Sequence, residues 1–121
     1  MNIPTILLMA MIQVESHGDN KAIGDNNKAY GCLQIQQAYI DDVNKVYGTK
    51  YTIYHAFERV LAVDITCKYL KFYGDYYERH EGKKATFEIL ARIHNGGPYG
   101  WLNPKTAKYW KKVKLEMEAD K

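Results

Sequence analysis

Little in this chain could staple it together or anchor it. Cysteine occurs only twice, as Cys32 and Cys67. Two thiols cannot make the disulfide framework of a small secreted domain, and no zinc-ligand spacing surrounds them. Whether they bridge each other stays open, because a bridge depends on geometry. So low a content fits synthesis in a reducing compartment. Proline is limited to Pro4, Pro98 and Pro104, and no linker, repeat or low-complexity stretch divides the chain. Long apolar runs are also missing. The longest is IPTILLMAMI, residues 3 to 12. It is too short to span a bilayer, and it lacks the basic start and small-residue cleavage site of a secretory leader. The expectation is no stable membrane insertion and a chain made in the cytoplasm. Net charge is only +3. That falls far short of the basic stripe of a nucleic-acid binder, although it would favour an anionic polymer. His17, His55, His80 and His94 show no metal-ligand spacing, and no glycine-rich phosphate loop is present. No metal and no cofactor are expected.

What is present suits one compact domain over residues 1–121. Apolar residues make up 46% and charged residues 26% of the chain, a globular and not a disordered balance. Tyrosine is frequent, at 11 residues. Packing explains most single tyrosines, but an amphipathic ring also stacks on a sugar face.

The pattern is mainly helical. Pro4 suits a first helical turn, and apolar residues from Ile6 to Val14 lie almost all round, which predicts a buried central helix ending near Gly18. Gly24, Gly31 and the Asp-Asn-Asn run predict loop and turn, with a short hairpin near Tyr30 to Ile35. A second helix fits about 36–47, stopped by Gly48, and a third fits about 57–73, stopped by Gly74. YGDYYERHEGKK reads as a charged connection. Thr86 opens a fourth helix through FEILARIH, which Asn95-Gly96-Gly97-Pro98 breaks. Asn103-Pro104 starts a last helix to about Met117. The expected architecture is about five helices around a buried central one, with a small β or irregular region between the first two.

Two carboxylates carry the chemical interest. Glu15 closes the oily first helix. Burial and the negative end of a helix dipole both favour its protonated form, which a glycosidase needs in a general acid. Taken alone, it reads more readily as an exposed residue at a fraying helix end. Asp25 sits in the polar turn AIGDNN, where it would stay ionised. An ionised carboxylate across from a protonated one is the arrangement of glycoside hydrolysis, although an Asx-turn former is the simpler reading of its spacing.

ARIHNGGPYGW followed by KTAKYWKKV resembles the C-terminal signature of invertebrate-type (i-type) lysozymes, the destabilase family. VES, the Ile-Gly and Asp of the loop, and Gly31 before LQI also fit, and CKYLKFYG resembles a family helix. The likeness runs from about Val14 to Val113. The stretch ESHG…GDNNKAYGCLQI is also similar to goose-type lysozymes and bacterial lytic transglycosylases.

The resemblance implies a lysozyme-like α+β fold and a muramidase, hydrolysing the β-1,4 bond from N-acetylmuramic acid to N-acetylglucosamine in peptidoglycan. It matches Glu15 to the family's general acid and Asp25 to its second carboxylate. Tyr30, Gln34, Ile35, Tyr39, His94, Asn95, Gly96 and Tyr109 become substrate-binding candidates. Tyr30, Ile65 and Trp101 stand where the family has cysteine, and bulky side chains there can offset lost staples at roughly 1.5–3 kcal/mol each when fully buried. Some family members also cleave isopeptide bonds with a serine. The only serine here is Ser16, beside Glu15, and the corresponding region offers Thr49 and Thr52 at best, so that activity is not expected. Lys105, Lys108, Lys111, Lys112 and Lys114 give the last helix a basic face, solvated or drawn to anionic wall polymers. The implied partner is the glycan strand of peptidoglycan, met by a monomer. Without a leader, access to the wall would require phage-type release, as for an endolysin, or carriage in a virion. One rival is a lytic transglycosylase with Glu15 as its sole acid and base. Another, of a different class, is a non-catalytic wall-binding or virion structural protein.

Overall fold

The computed structural model describes residues 1–119. Among them are five α-helices and one two-stranded antiparallel sheet. The helices are α1 (Thr5–Ser16), α2 (Gln37–Tyr47), α3 (Arg59–Glu81), α4 (Phe87–Gly96) and α5 (Thr106–Ala119). The strands are β1 (Ile23–Gly24) and β2 (Ala29–Tyr30), with Ile23 opposite Tyr30 and Gly24 opposite Ala29. The mainly helical class and the small β region between the first two helices are as expected. No helix among the described residues is long and apolar enough to cross a membrane.

The chain forms two compact units. One is Ile12–Tyr69, and the other joins Met1–Met11 to the chain from Leu70 onward. Ile12–Tyr69 holds the hairpin, α2 and a short 3-10 turn, Ile53–Phe57. Its core includes Leu33, Ile35, Ile40, Val43 and Ile65, all 1% exposed or less. The other unit buries Leu7, Met11, Leu70, Ile93 and Val113.

Helix α1 departs from all-round burial. Leu7 and Met11 are fully buried, but Ile6 is 38% and Met9 50% exposed. Ile6, Met9 and Gln13 form one stripe at helical spacing, and that stripe faces water. The third helix departs further. It does not stop at Gly74 but runs to Glu81, taking in most of the supposed connection YGDYYERHEGKK. Gly74 is there for close approach. A Cβ on it would meet Met1 Sδ at 2.9 Å and Leu90 Cδ2 at 3.0 Å. The stop comes later, at Gly82, whose φ of 66° suits a helix end.

The second and fourth helices follow their caps. Gly48, with φ 68°, closes α2 by donating its N–H to Asn44 O. Thr86 Oγ1 accepts from Ile89 N at the start of α4. Helix α5 begins later than Asn103-Pro104 suggests. Asn103 O and Pro104 O accept from Thr106 N and Ala107 N, so that pair makes a turn ahead of the helix.

The two thiols are free, Cys32 buried and Cys67 partly so. Of the three residues that the resemblance sets against cysteines, Ile65 is fully buried. Tyr30 stands edge-on to Phe57 at 5.8 Å, and Trp101 edge-on to Tyr77 at 4.9 Å.

Candidate functional site

Glu15 is half-buried in the last turn of α1. Its neighbours fix that helix end. His17 N donates to Gln13 O at 2.9 Å, and His17 and Gly18 then take positive φ. Ser16 Oγ lies 3.2 Å from Ile12 O and 2.9 Å from Cys32 O, tying the helix end to the segment after the hairpin. Arg59 Nη2 donates to Gly18 O at 2.6 Å. Ser16 spends its hydroxyl proton on backbone carbonyls, which is a structural use. Thr49 Oγ1 likewise donates to Asn44 Oδ1 at 2.8 Å.

The hairpin carries Asp25 at its tip. Asp25, Asn26 and Asn27 all have left-handed backbone, with φ of 51°, 56° and 67°. Short polar side chains tolerate that region best, which explains the Asp-Asn-Asn composition. Lys28 N closes the turn on Gly24 O and Asp25 O. Asp25 is exposed, and its Oδ2 accepts from Gln36 Nε2 at 2.7 Å. Gln36 in turn occupies the N-cap position of α2. The tip is thereby tethered to the next helix.

The segment between them packs through glycine. A Cβ on Gly31 would fall 1.8 Å from Ala56 O, and Gly31 has φ 80°. No other residue fits there without moving the 3-10 turn. A Cβ on Gly24 would fall 2.3 Å from Gln34 Oε1. Gln34 Nε2 donates to Gly31 O at 3.0 Å and Ala22 O at 3.3 Å, so this amide braces the hairpin. Ile35 is 1% exposed and exchanges both backbone hydrogen bonds with Tyr30. Its side chain belongs to the core, and it serves the region by holding Tyr30 in place. Tyr39 stacks on Tyr69 with centroids 3.6 Å apart. Burial pushes the Tyr39 phenol well above its ordinary pKa. The neighbouring Tyr69 and the carboxylate of Glu15 add to the rise, and the Thr66 hydroxyl partly opposes it.

The remaining candidates lie in the other unit. His94 is 7% and Tyr109 9% exposed, with ring centroids 6.5 Å apart. Asn95 and Gly96 are exposed. ARIHNGGPYGW forms a corner around Arg92, which the sequence reading passed over. Arg92 Nε donates to Thr106 Oγ1 at 2.8 Å, its Nη1 pairs with Glu88 at 2.8 Å, and its Nη2 donates to Asn103 O at 3.1 Å. Cβ atoms on Gly96 and Gly100 would meet Thr106 Cγ2 at 2.5 Å and Arg92 O at 2.1 Å. Much of this signature is therefore demanded by packing.

The structure thus gathers Glu15, Asp25, Tyr30, Gln34, Ile35 and Tyr39 in one unit, and His94, Asn95, Gly96 and Tyr109 in the other. Sequence reasoning missed Gln36, Arg59 and the tie from Ser16. Nothing in QIQQ distinguishes Gln36 from Gln37, and Arg59 reaches Gly18 across 41 positions of chain. Among the described residues no three His, Cys, Asp or Glu side chains group to hold a metal ion.

Comparison with known proteins extends these observations. The chain is 37% identical over 89 residues to a lysozyme of Magallana gigas, covering 70% of this chain and 59% of that protein. It is 34% identical over 91 residues to lysozyme 1 of Crassostrea virginica, covering 75% and 46%. The matched stretches thus span about half the length of these relatives. Among solved structures, that of Tapes japonica lysozyme superposes with a TM-score of 0.73 at 27% identity, covering 91% of this chain and 87% of the other. A chain in the complex of Aeromonas hydrophila PliI with Meretrix lusoria lysozyme superposes at 0.78 over 93% and 89%; at 24% identity this bears on the fold alone. The transglycosylase SLT domain family matches residues 1–114, nearly the whole chain. The chain belongs to the transglycosylase SLT domain family and has the fold of the invertebrate lysozymes.

Proposed function

We propose that this chain is a muramidase acting as one catalytic domain on the glycan strands of peptidoglycan. The reaction is hydrolysis of the β-1,4 bond from N-acetylmuramic acid to N-acetylglucosamine. One observation carries the reading. Kinship with two lysozymes, at 37% and 34% identity, coincides with two carboxylates in contrasting settings within one unit. Glu15 is half-buried at a braced helix end, and Asp25 is exposed and tethered by Gln36. In the proposed reaction Glu15 protonates the leaving oxygen. Asp25 serves as nucleophile or as electrostatic stabiliser of the oxocarbenium-like transition state. Tyr30 and Tyr39 line the sugar path within this unit. The protein works as a monomer on the bacterial wall, needing neither metal nor cofactor.

The deciding experiment is mass spectrometry of digested peptidoglycan. Reducing ends that carry the added water are expected. Products ending only in 1,6-anhydro sugars, each lighter by one water, would make the enzyme a lytic transglycosylase. The family match favours that second reading specifically, since its members take their name from the transglycosylase reaction. In that case Glu15 acts as acid and then base, and Asp25 has no chemical part.

A further inference from the structure

A second group of aromatic rings lies outside the carboxylate region, in the chain beyond Leu70. Tyr76 and His80 sit one turn apart on α3, with ring centroids 4.0 Å apart. Tyr99, from the loop after α4, stands edge-on to Tyr76 at 6.1 Å and 85°. The two phenols share a hydrogen bond of 2.9 Å. Tyr99 is 57% exposed, His80 is exposed and Tyr76 is half-buried.

The group is built. The residue after Tyr99 is Gly100, pressed against Arg92 O, and Thr106 Oγ1 lies 2.7 Å from Gly100 O. Next comes Trp101, edge-on to the buried Tyr77 at 84°. The loop bearing Tyr99 is thus fixed directly behind it, and its partners ride on a 23-residue helix. Rings already ordered lose little entropy when a ligand lands on them.

The chemistry of the cluster is narrow. Two phenols carry two hydroxyl protons, and their mutual bond uses one. One donor and several lone pairs remain, beside exposed ring faces. A pyranose presents an apolar C–H face and a rim of hydroxyls, so it uses both halves of such a surface. Arg79, exposed on the same helix three residues after Tyr76, adds a cation that also suits a sugar bearing a carboxylate. An apolar peptide would bury the phenol pair at a cost, and the weak net charge of +3 argues against a polynucleotide.

We infer that Tyr76, His80 and Tyr99 form a glycan-stacking platform that takes an N-acetylhexosamine unit of a β-1,4-linked strand. The choice of glycan rests on the muramidase reading, but the platform itself requires no catalysis. The test uses the whole chain carrying Glu15→Gln, titrated with the β-1,4-linked tetramer of N-acetylglucosamine and followed by aromatic NMR. The ring signals of Tyr76, His80 and Tyr99 should move on titration. Adding Tyr99→Ala should weaken binding roughly fivefold, while Tyr99→Phe, which keeps the ring, should weaken it less. Circular dichroism confirms that each variant is folded. Three outcomes overturn the proposal: no binding at millimolar tetramer, unmoved ring signals, or equal affinity after Tyr99→Ala. Preference for a single-stranded oligonucleotide or an apolar peptide over the tetramer at these rings also overturns it. Binding through these rings by a protein that never cuts peptidoglycan would uphold the platform and remove the muramidase reading.

Discussion

Gln36 holds Asp25 by a 2.7 Å hydrogen bond from its side-chain amide, joining the tip of the hairpin to the N-cap of α2. The bond crosses a turn in which three successive residues are left-handed. Such backbone persists only where its surroundings over-determine it, and this tether is one of those constraints.

Loss of the tether therefore separates the two reactions. Gln36→Ala frees the Asp25 carboxylate, and Asp25→Asn removes its charge. If Asp25 takes part in hydrolysis, Asp25→Asn should lower wall clearing by roughly 100-fold or more, and Gln36→Ala by several-fold. Clearing that is unchanged in both variants would leave Asp25 as a turn residue. Turbidity assays on a cell-wall suspension measure both.

Glu15→Gln should abolish most activity at little cost in stability. The loss of a general acid is worth roughly 100- to 10,000-fold. The thermal midpoint should stay within a few degrees, because Gln keeps the size and shape of Glu, and Ser16 and Arg59 hold the end of α1 by the bonds described. Equal clearing by wild type and variant would take Glu15 out of the mechanism.

Gly31→Ala should be severe. The new methyl would fall 1.8 Å from Ala56 O on a backbone with φ 80°. Strain and overpacking together should cost about 3 kcal/mol or more, read as a lower denaturant midpoint. Gly48→Ala shares the positive φ but meets nothing within 4 Å, so it should lose clearly less. Equal losses would show that conformation, and not the close approach, dominates at Gly31.

Thr106→Val should loosen the signature corner. It strips Arg92 Nε of its acceptor and Gly100 O of a donor, with little change in volume. The expected loss is about 1–3 kcal/mol, since partners are left unsatisfied in a partly buried place. Urea unfolding of Thr106→Val and Thr106→Ser distinguishes the lost hydroxyl from altered shape, with Ser retaining most of the stability.

Asp64 should give a small acid-dependent term. Hydrogen bonds from Tyr51 and then Lys68 hold its carboxyl below the usual carboxylate range. Its folded pKa is thus lower than its unfolded one. The stability it contributes is present above about pH 4 and is lost as pH falls through the folded value. The gap in thermal midpoint between wild type and Asp64→Asn should be modest at pH 7, because the side chain is 44% exposed. It should close in more acidic solution. A gap that persists unchanged there would assign the effect to shape and not to charge.

Elements with a local signal were legible in advance. Thr86 caps α4 and Gly48 ends α2 because capping needs only neighbouring atoms. The hairpin is displaced: by sequence it falls near Tyr30 to Ile35, where the structure has a single antiparallel bridge, and the two paired strands lie earlier, at Ile23–Gly24 and Ala29–Tyr30, around the Asp-Asn-Asn turn. Gly74 shows where such reading stops. By sequence it is a helix stop, yet in the structure it sits inside a continuous helix, because Met1 and Leu90 leave no room for a Cβ. The ring of Leu and Met on α1 could not reveal that Ile6 and Met9 face water, since apolar residues on every side carry no preferred face.

Sequence alone determined the mainly helical class, the lysozyme-like resemblance and the identity of Glu15 and Asp25 as the carboxylates of interest. These rest on residue type and spacing, which the chain carries before it folds. Tertiary structure alone decided that Gln36 tethers Asp25, that Gln34 and Ile35 brace the hairpin, and that Arg92 and Thr106 lock the IHNGGP corner. Each joins atoms far apart in the chain or selects one of several like residues. Local propensity cannot specify such pairings, and only the packed fold brings those atoms within bonding distance.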